Sequence, residues 1–159
     1  MVSITIMHIP VIVGGIVMGP MYGGILGLVF GLLSMYKATT AATSVVDQAF
    51  SPFLSGAPVQ SIIMCIVPRV LLGVVAALLF RALEKRIKSK GLAIAISAAV
   101  ASVMHTVLVL GCLWALFDSL PLKSVFLTLV TLNGFSEIAV AVIVAVGVCR
   151  PLLRLTNKT

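Results

Sequence analysis

The apolar positions of this chain fall into five blocks: Ile4–Met18, Tyr22–Tyr36, Gln60–Leu83, Gly91–Phe117 and Ser124–Val148. Within each block hydrophobic residues run almost continuously, without the alternation that marks a half-buried strand or a membrane barrel. Such runs predict helices, because only helices and closed barrels satisfy their own backbones in lipid. At about 1.5 Å per residue the last three blocks cross a hydrocarbon core of roughly 30 Å, whereas the first two reach only about 22 Å. Helices that short are expected to pack inside a bundle or to line a cavity. Gly19-Pro20-Met21 reads as a tight turn that folds the first two helices into a hairpin.

The breaks between blocks set the topology. Lys37–Val59 is the longest polar stretch, with Asp47, Gln48, Pro52 and Pro58 among its residues. Arg81, Lys85, Arg86, Lys88 and Lys90 crowd the break after the third block, and Arg150, Arg154 and Lys158 follow the fifth. Basic ends face the cytoplasm, so the Lys37–Val59 and Asp118–Lys123 loops are expected outside, the amino terminus outside and the carboxyl terminus inside. An outside amino terminus without a charged leader or a cleavage site is unusual. Either the first helix inserts unaided or a further helix precedes it, and the preceding helix is the favoured expectation.

Composition sharpens the class. Hydrophobic residues make up 61% of the chain and charged residues 9%, against about 25% charged in ordinary soluble domains. The 159 residues read as one all-α, polytopic membrane bundle with no room for a soluble catalytic domain. The net charge of +7 sits beside apolar blocks, where anionic lipid headgroups rather than nucleic acid supply the counter-charge. Cys65, Cys112 and Cys149 are odd in number and lack metal-ligand spacing, so they read as small core residues.

Polar residues inside the apolar blocks are the candidate chemistry. Arg69 lies in the middle of QSIIMCIVPRVLLGVVAALLF (Gln60–Phe80), directly after Pro68. A charge at that depth costs roughly 2.5–3.5 kcal/mol on insertion scales and marks a ligand, ion or proton site. Its planar fork of donors suits a carboxylate or phosphate. The competing reading is an ion pair with Glu137 that only clamps two helices. Asn133 and Glu137 are four apart and share a helix face, an amide and a carboxylate suited to hydroxyl and amide recognition. His105 can join that cavity or be satisfied internally, and His8 near the start of the first helix is equally ambiguous. Gly23, Gly27 and Gly31 form a smooth stripe on the second helix, and Ser97 and Ala101 a small-residue face on the fourth with His105. Such surfaces let another backbone approach closely, either within the chain or as a docking face for a partner subunit, the role assigned to these five small residues.

No catalytic set is present: there is no HExxH, no Ser/His/Asp arrangement, no paired carboxylates at workable spacing and no Walker A loop. The chain is expected not to be an enzyme, to need no metal or cofactor, and to draw any energy for uphill transport from a partner or an ion gradient.

ITIMHIPVIVGGIVMGPMYGGILGLVFGLLS (Ile4–Ser34), SPFLSG (Ser51–Gly56), IVPRVLLGVVAALLF (Ile66–Phe80) and NGFSE (Asn133–Glu137) together resemble an S component of an energy-coupling factor (ECF) vitamin transporter. The resemblance covers about residues 4–148 and is greatest to the pantothenate type. It implies a small bacterial plasma-membrane subunit of six helices that binds a vitamin from outside. A transmembrane coupling subunit and two cytoplasmic ATPases would be its partners, and ATP hydrolysis would topple it to release cargo. It also implies that this chain begins where the second family helix begins, in line with the outside amino terminus read from the charges. Under this resemblance Arg69 would meet the carboxylate of pantothenate, and Asn133, Glu137 and His105 its hydroxyls and amide. A pyridoxine-like or pyrimidine vitamin, a stand-alone secondary carrier and a purely structural subunit are the alternatives.

Overall fold

The computed structural model describes residues 7–42, 48–116 and 134–156, and the long elements among them are all helices. They are α1 (His8–Met18), α2 (Pro20–Thr40), α3 (Pro58–Glu84), α4 (Lys90–Leu116) and α5 (Gly134–Thr156). Four of them, α2 to α5, are long and apolar enough to cross a membrane. The third and fourth blocks match their helices to within two residues. The starts of the first and fifth blocks, and the Asp118–Lys123 loop, lie outside the described residues.

The α1–α2 hairpin forms as the Gly-Pro pair requires. Gly19 adopts φ 101°, a left-handed conformation that a side chain rarely tolerates. Its N–H bonds the Gly15 carbonyl at 2.9 Å, and the Gly23 N–H bonds the Gly19 carbonyl at 3.0 Å. Pro20 at the first helical position needs no N–H partner and arrives with its φ already set.

Of the two helices expected to be short, only α1 is. The second runs 21 residues, about 32 Å, a full span. The apolar run ends at Tyr36, but the helix does not, because hydroxyls there bond back along it. Thr39 Oγ1 donates to the Met35 carbonyl at 2.8 Å and Thr40 Oγ1 to the Tyr36 carbonyl at 3.0 Å. Likewise α5 continues past Val148 through Pro151 to Thr156, so the basic tail is helical at Arg150 and Arg154.

Short α1 is the centre of the bundle. It packs on α2, α3 and α5 and touches α4, while α2 packs on α3, α3 on α4, and α4 on α5. Its Ile9, Val11, Ile12 and Ile16 are buried with Leu72, Ile94, Ala98, Ala141 and Ala145 in the main core. The outer helices instead expose apolar side chains, among them Ile25, Leu28, Val29, Leu32 and Leu33 of α2. Such a belt suits lipid rather than water. Arg81 reaches the Gly19 turn and Arg150 lies beside Gly91, so the basic ends of α3, α4 and α5 gather where α1 turns into α2. That end is cytoplasmic by the positive-inside rule. Exposed Tyr36 and Trp114 lie at the opposite end, as aromatic side chains do at the outer interface.

The glycine stripe packs inside the chain, which corrects the docking role assigned to it. A Cβ at Gly23 would lie 2.6 Å from the Gly73 carbonyl oxygen, and one at Gly31 2.8 Å from that of Cys65. At Gly27 the Arg69 carbonyl is closer still. These glycines let α2 lie backbone to backbone on α3, leaving no surface for another chain. Ser97 and Ala101 are also buried, with Ser97 Oγ donating to the Ala93 carbonyl at 2.8 Å, so their docking role is corrected on the same ground.

A candidate binding site around Arg69

Pro68 lies inside α3 and has no N–H to give the carbonyl four residues back, that of Met64. Arg69 supplies the missing bond: its Nη1 donates to the Met64 carbonyl at 2.7 Å. The proline thus creates an acceptor in the span and the next side chain curls back to satisfy it. One donor of the fork is committed, and Nε is buried without a partner.

Arg69 is 7% exposed, and its guanidinium lies between two aromatic rings. Its Cζ is 5.6 Å from the centroid of Phe30 on α2 and 5.0 Å from that of Phe50. Each such contact stabilises a cation by about 0.5–2 kcal/mol, most when water is excluded. Phe30 also meets His105 of α4 edge to face, with centroids 6.3 Å apart and planes at 81°. His105 Nδ1 and Ser102 Oγ, one turn apart on α4, are likewise buried without hydrogen-bond partners. Arg69 and His8 both lie within electrostatic reach of His105, so α1, α2, α3 and α4 each bring a polar or aromatic group to one centre.

Phe50 is held over this centre by the segment before α3. Ser61 Oγ donates to the Ala49 carbonyl at 2.7 Å and accepts from Ser55 Oγ at 2.7 Å. Thr39 Oγ1 and Ser51 Oγ share a hydrogen bond of 2.9 Å, and Cys65 Sγ donates to the Phe50 carbonyl at 3.2 Å. Ala49 packs with Met64 and Leu113 beneath Phe50. Serines spaced through Ser51, Ser55 and Ser61 therefore pin a loop across the outer end of α3.

Among the sequence-predicted residues, Arg69, His105 and His8 come together. Glu137 is half-buried near the start of described α5, a helix that packs mainly on α4 and α1 rather than on α3. Arg69 makes no ion pair with another described residue, so the Arg69–Glu137 clamp is not the arrangement seen; Lys90 and Glu84 do pair, at 3.2 Å. Asn133 lies outside the described residues. Phe30 and Phe50 were missed by sequence reasoning. A pair of aromatics flanking a buried cation leaves no spacing signal when one sits in another helix and one in a loop.

A bundle of apolar helices around a buried polar centre defines a multi-pass membrane protein. Its sequence matches the family of ECF transporter substrate-specific components over residues 1–149, and the chain belongs to that family. It is 31% identical over 163 residues to the pantothenic acid transporter PanT of Lactococcus lactis subsp. cremoris (strain MG1363), covering 98% of this chain and 80% of that protein. The chain is thus a transporter substrate-binding component of the plasma membrane, not an enzyme.

Proposed function

We propose that this protein captures pantothenate at the outer side of the membrane, with Arg69 pairing to its carboxylate. The observation that carries the reading is a buried guanidinium with an unpartnered Nε and no carboxylate beside it among the described residues. An uncompensated buried cation is costly, and a bound anion would relieve that cost through charge-assisted hydrogen bonds. The orphaned Ser102 Oγ and His105 Nδ1 are suited to the hydroxyls and amide, and His8, Asn133 and Glu137 extend the candidate set. The name of the Lactococcus relative supports the same vitamin. Transport then proceeds with a transmembrane coupling subunit and two ATPases, since the chain has no nucleotide-binding loop of its own.

Calorimetric titration of the purified protein tests the ligand. Pantothenate is expected to bind, and pyridoxine and thiamine-type pyrimidines, which lack its carboxylate, are not. Arg69→Met is expected to weaken pantothenate by at least a hundredfold, in line with roughly 2–5 kcal/mol for truncating a buried charge pair. Wild-type affinity in that variant would exclude Arg69 from the site. Reconstituted uptake that proceeds without ATPase partners would exclude the ATP-driven mechanism.

A further inference from the structure

At the cytoplasmic end a cavity of about 350 Å³ opens between the α3–α4 turn, the start of α4 and the end of α5. Lys88, Lys90, Arg150 and Arg154 line it, and among the described residues Glu84 pairs with Lys90 at its edge. With Lys90 held by Glu84, the exposed cations Lys88, Arg150 and Arg154 are left facing one small volume, where an anion would offset their mutual repulsion. Gly91 lies in the wall, and a Cβ there would come only 4.0 Å from the Arg150 guanidinium, so the first turn of α4 stands directly opposite that side chain. The N–H groups of a helix start favour negative charge. Cavity, cations and helix start therefore converge on one anion.

We propose that this cavity binds the phosphate of an anionic membrane lipid. The apolar surroundings favour a lipid over free phosphate. Leu92, Leu152 and Leu155 expose their side chains within two residues of the lining cations, a ledge suited to the upper part of an acyl chain. The basic residues also sit at the level where α4 and α5 leave the apolar region, the depth of the headgroups. The site is remote from Arg69 and owes nothing to the vitamin reading.

Native mass spectrometry and thermal unfolding of the purified chain test the proposal, with phosphatidylglycerol, phosphatidylcholine and inorganic phosphate as separate probes. Phosphatidylglycerol is expected to remain bound and to raise the unfolding temperature, whereas phosphatidylcholine and millimolar phosphate do neither. Arg150→Gln with Arg154→Gln is expected to weaken phosphatidylglycerol by roughly thirtyfold, from about five- to sixfold per cation. Lys85→Gln with Arg86→Gln removes the same formal charge from the neighbouring turn and is expected to leave binding nearly intact. If the arginine pair prevents folding, Lys88→Gln with Arg154→Gln replaces it. Equal binding of both lipids overturns the proposal and leaves an acidic protein surface as the candidate ligand. Equal stabilisation by phosphate overturns the lipid source, and equal losses in the cavity and control variants overturn the site.

Discussion

Replacing Gly27 by alanine tests whether α2 and α3 are held backbone to backbone. The added Cβ would lie 2.7 Å from the Arg69 carbonyl carbon and 2.8 Å from the Val70 Cα, with the Arg69 oxygen nearer still. Ordinary carbon contacts begin near about 3.5 Å, so α2 must withdraw by roughly 0.7 Å. None of the obstructing atoms belongs to a side chain that can rotate away. A gap of that size forfeits about a quarter to a half of the dispersion energy along the contact. The expected loss is on the order of 2 kcal/mol, within the range of overpacked cores. Phe30 lies one turn further along α2, so its contact with Arg69 loosens too. Gly24→Ala is the internal control, because its Cβ meets only side-chain methyls, of Val74 at 3.3 Å and of Val70 at 3.9 Å. Gly147→Ala meets nothing within 4 Å and is expected to be neutral or stabilising through helix propensity, up to about 1 kcal/mol. Equilibrium unfolding in mixed detergent–SDS micelles reads all three. A Gly27→Ala protein as stable as Gly24→Ala would refute the backbone-contact reasoning.

Two further perturbations address the site. Pro68→Ala restores an N–H for the Met64 carbonyl, so the stability cost of Arg69→Met should shrink by about 1–2 kcal/mol when Pro68→Ala is also present, the worth of one buried acceptor; a double-mutant unfolding cycle with no coupling would show that the two residues act independently. Ser61→Ala removes the hydrogen bonds to the Ala49 carbonyl and Ser55 Oγ, and is expected to cost about 1–2 kcal/mol and to speed proteolysis within residues 48–57, whereas an unchanged cleavage rate would show that Phe50 is held by packing alone.

Sequence reading located the helices because lipid demands continuous apolar runs, and it located the hairpin because Gly19-Pro20 allows little else. It ended the second helix too early, at Tyr36, since Thr39 and Thr40 look like loop residues until their hydroxyls are seen bonding back to the helix. Arg69 stood out by its cost in an apolar run. Its link to Met64 was legible in principle, because a proline at position 68 always strips the carbonyl four residues earlier. The partners Phe30 and Phe50 were not, since contacts between a helix and a distant loop leave no periodicity. The glycine stripe was recognised as a surface for close approach. Only the packed helices could say that the approaching backbone was the chain's own.

The direct contact of α2 on α3 also divides the labour of movement. Two helices meeting through glycine have no side chains between them that can change rotamer, so they cannot slide or rotate past each other in small steps. With the Gly15–Gly23–Gly73 junction tying in α1, three helices behave as one block, and Arg69 travels with it. An opening that admits a solute from outside is then left to parts beyond that block, and among the described ones the segment carrying Phe50 lies over Arg69. That segment hangs on a few hydroxyl hydrogen bonds rather than on buried backbone, which puts it among the parts of the fold that open at the lowest free energy.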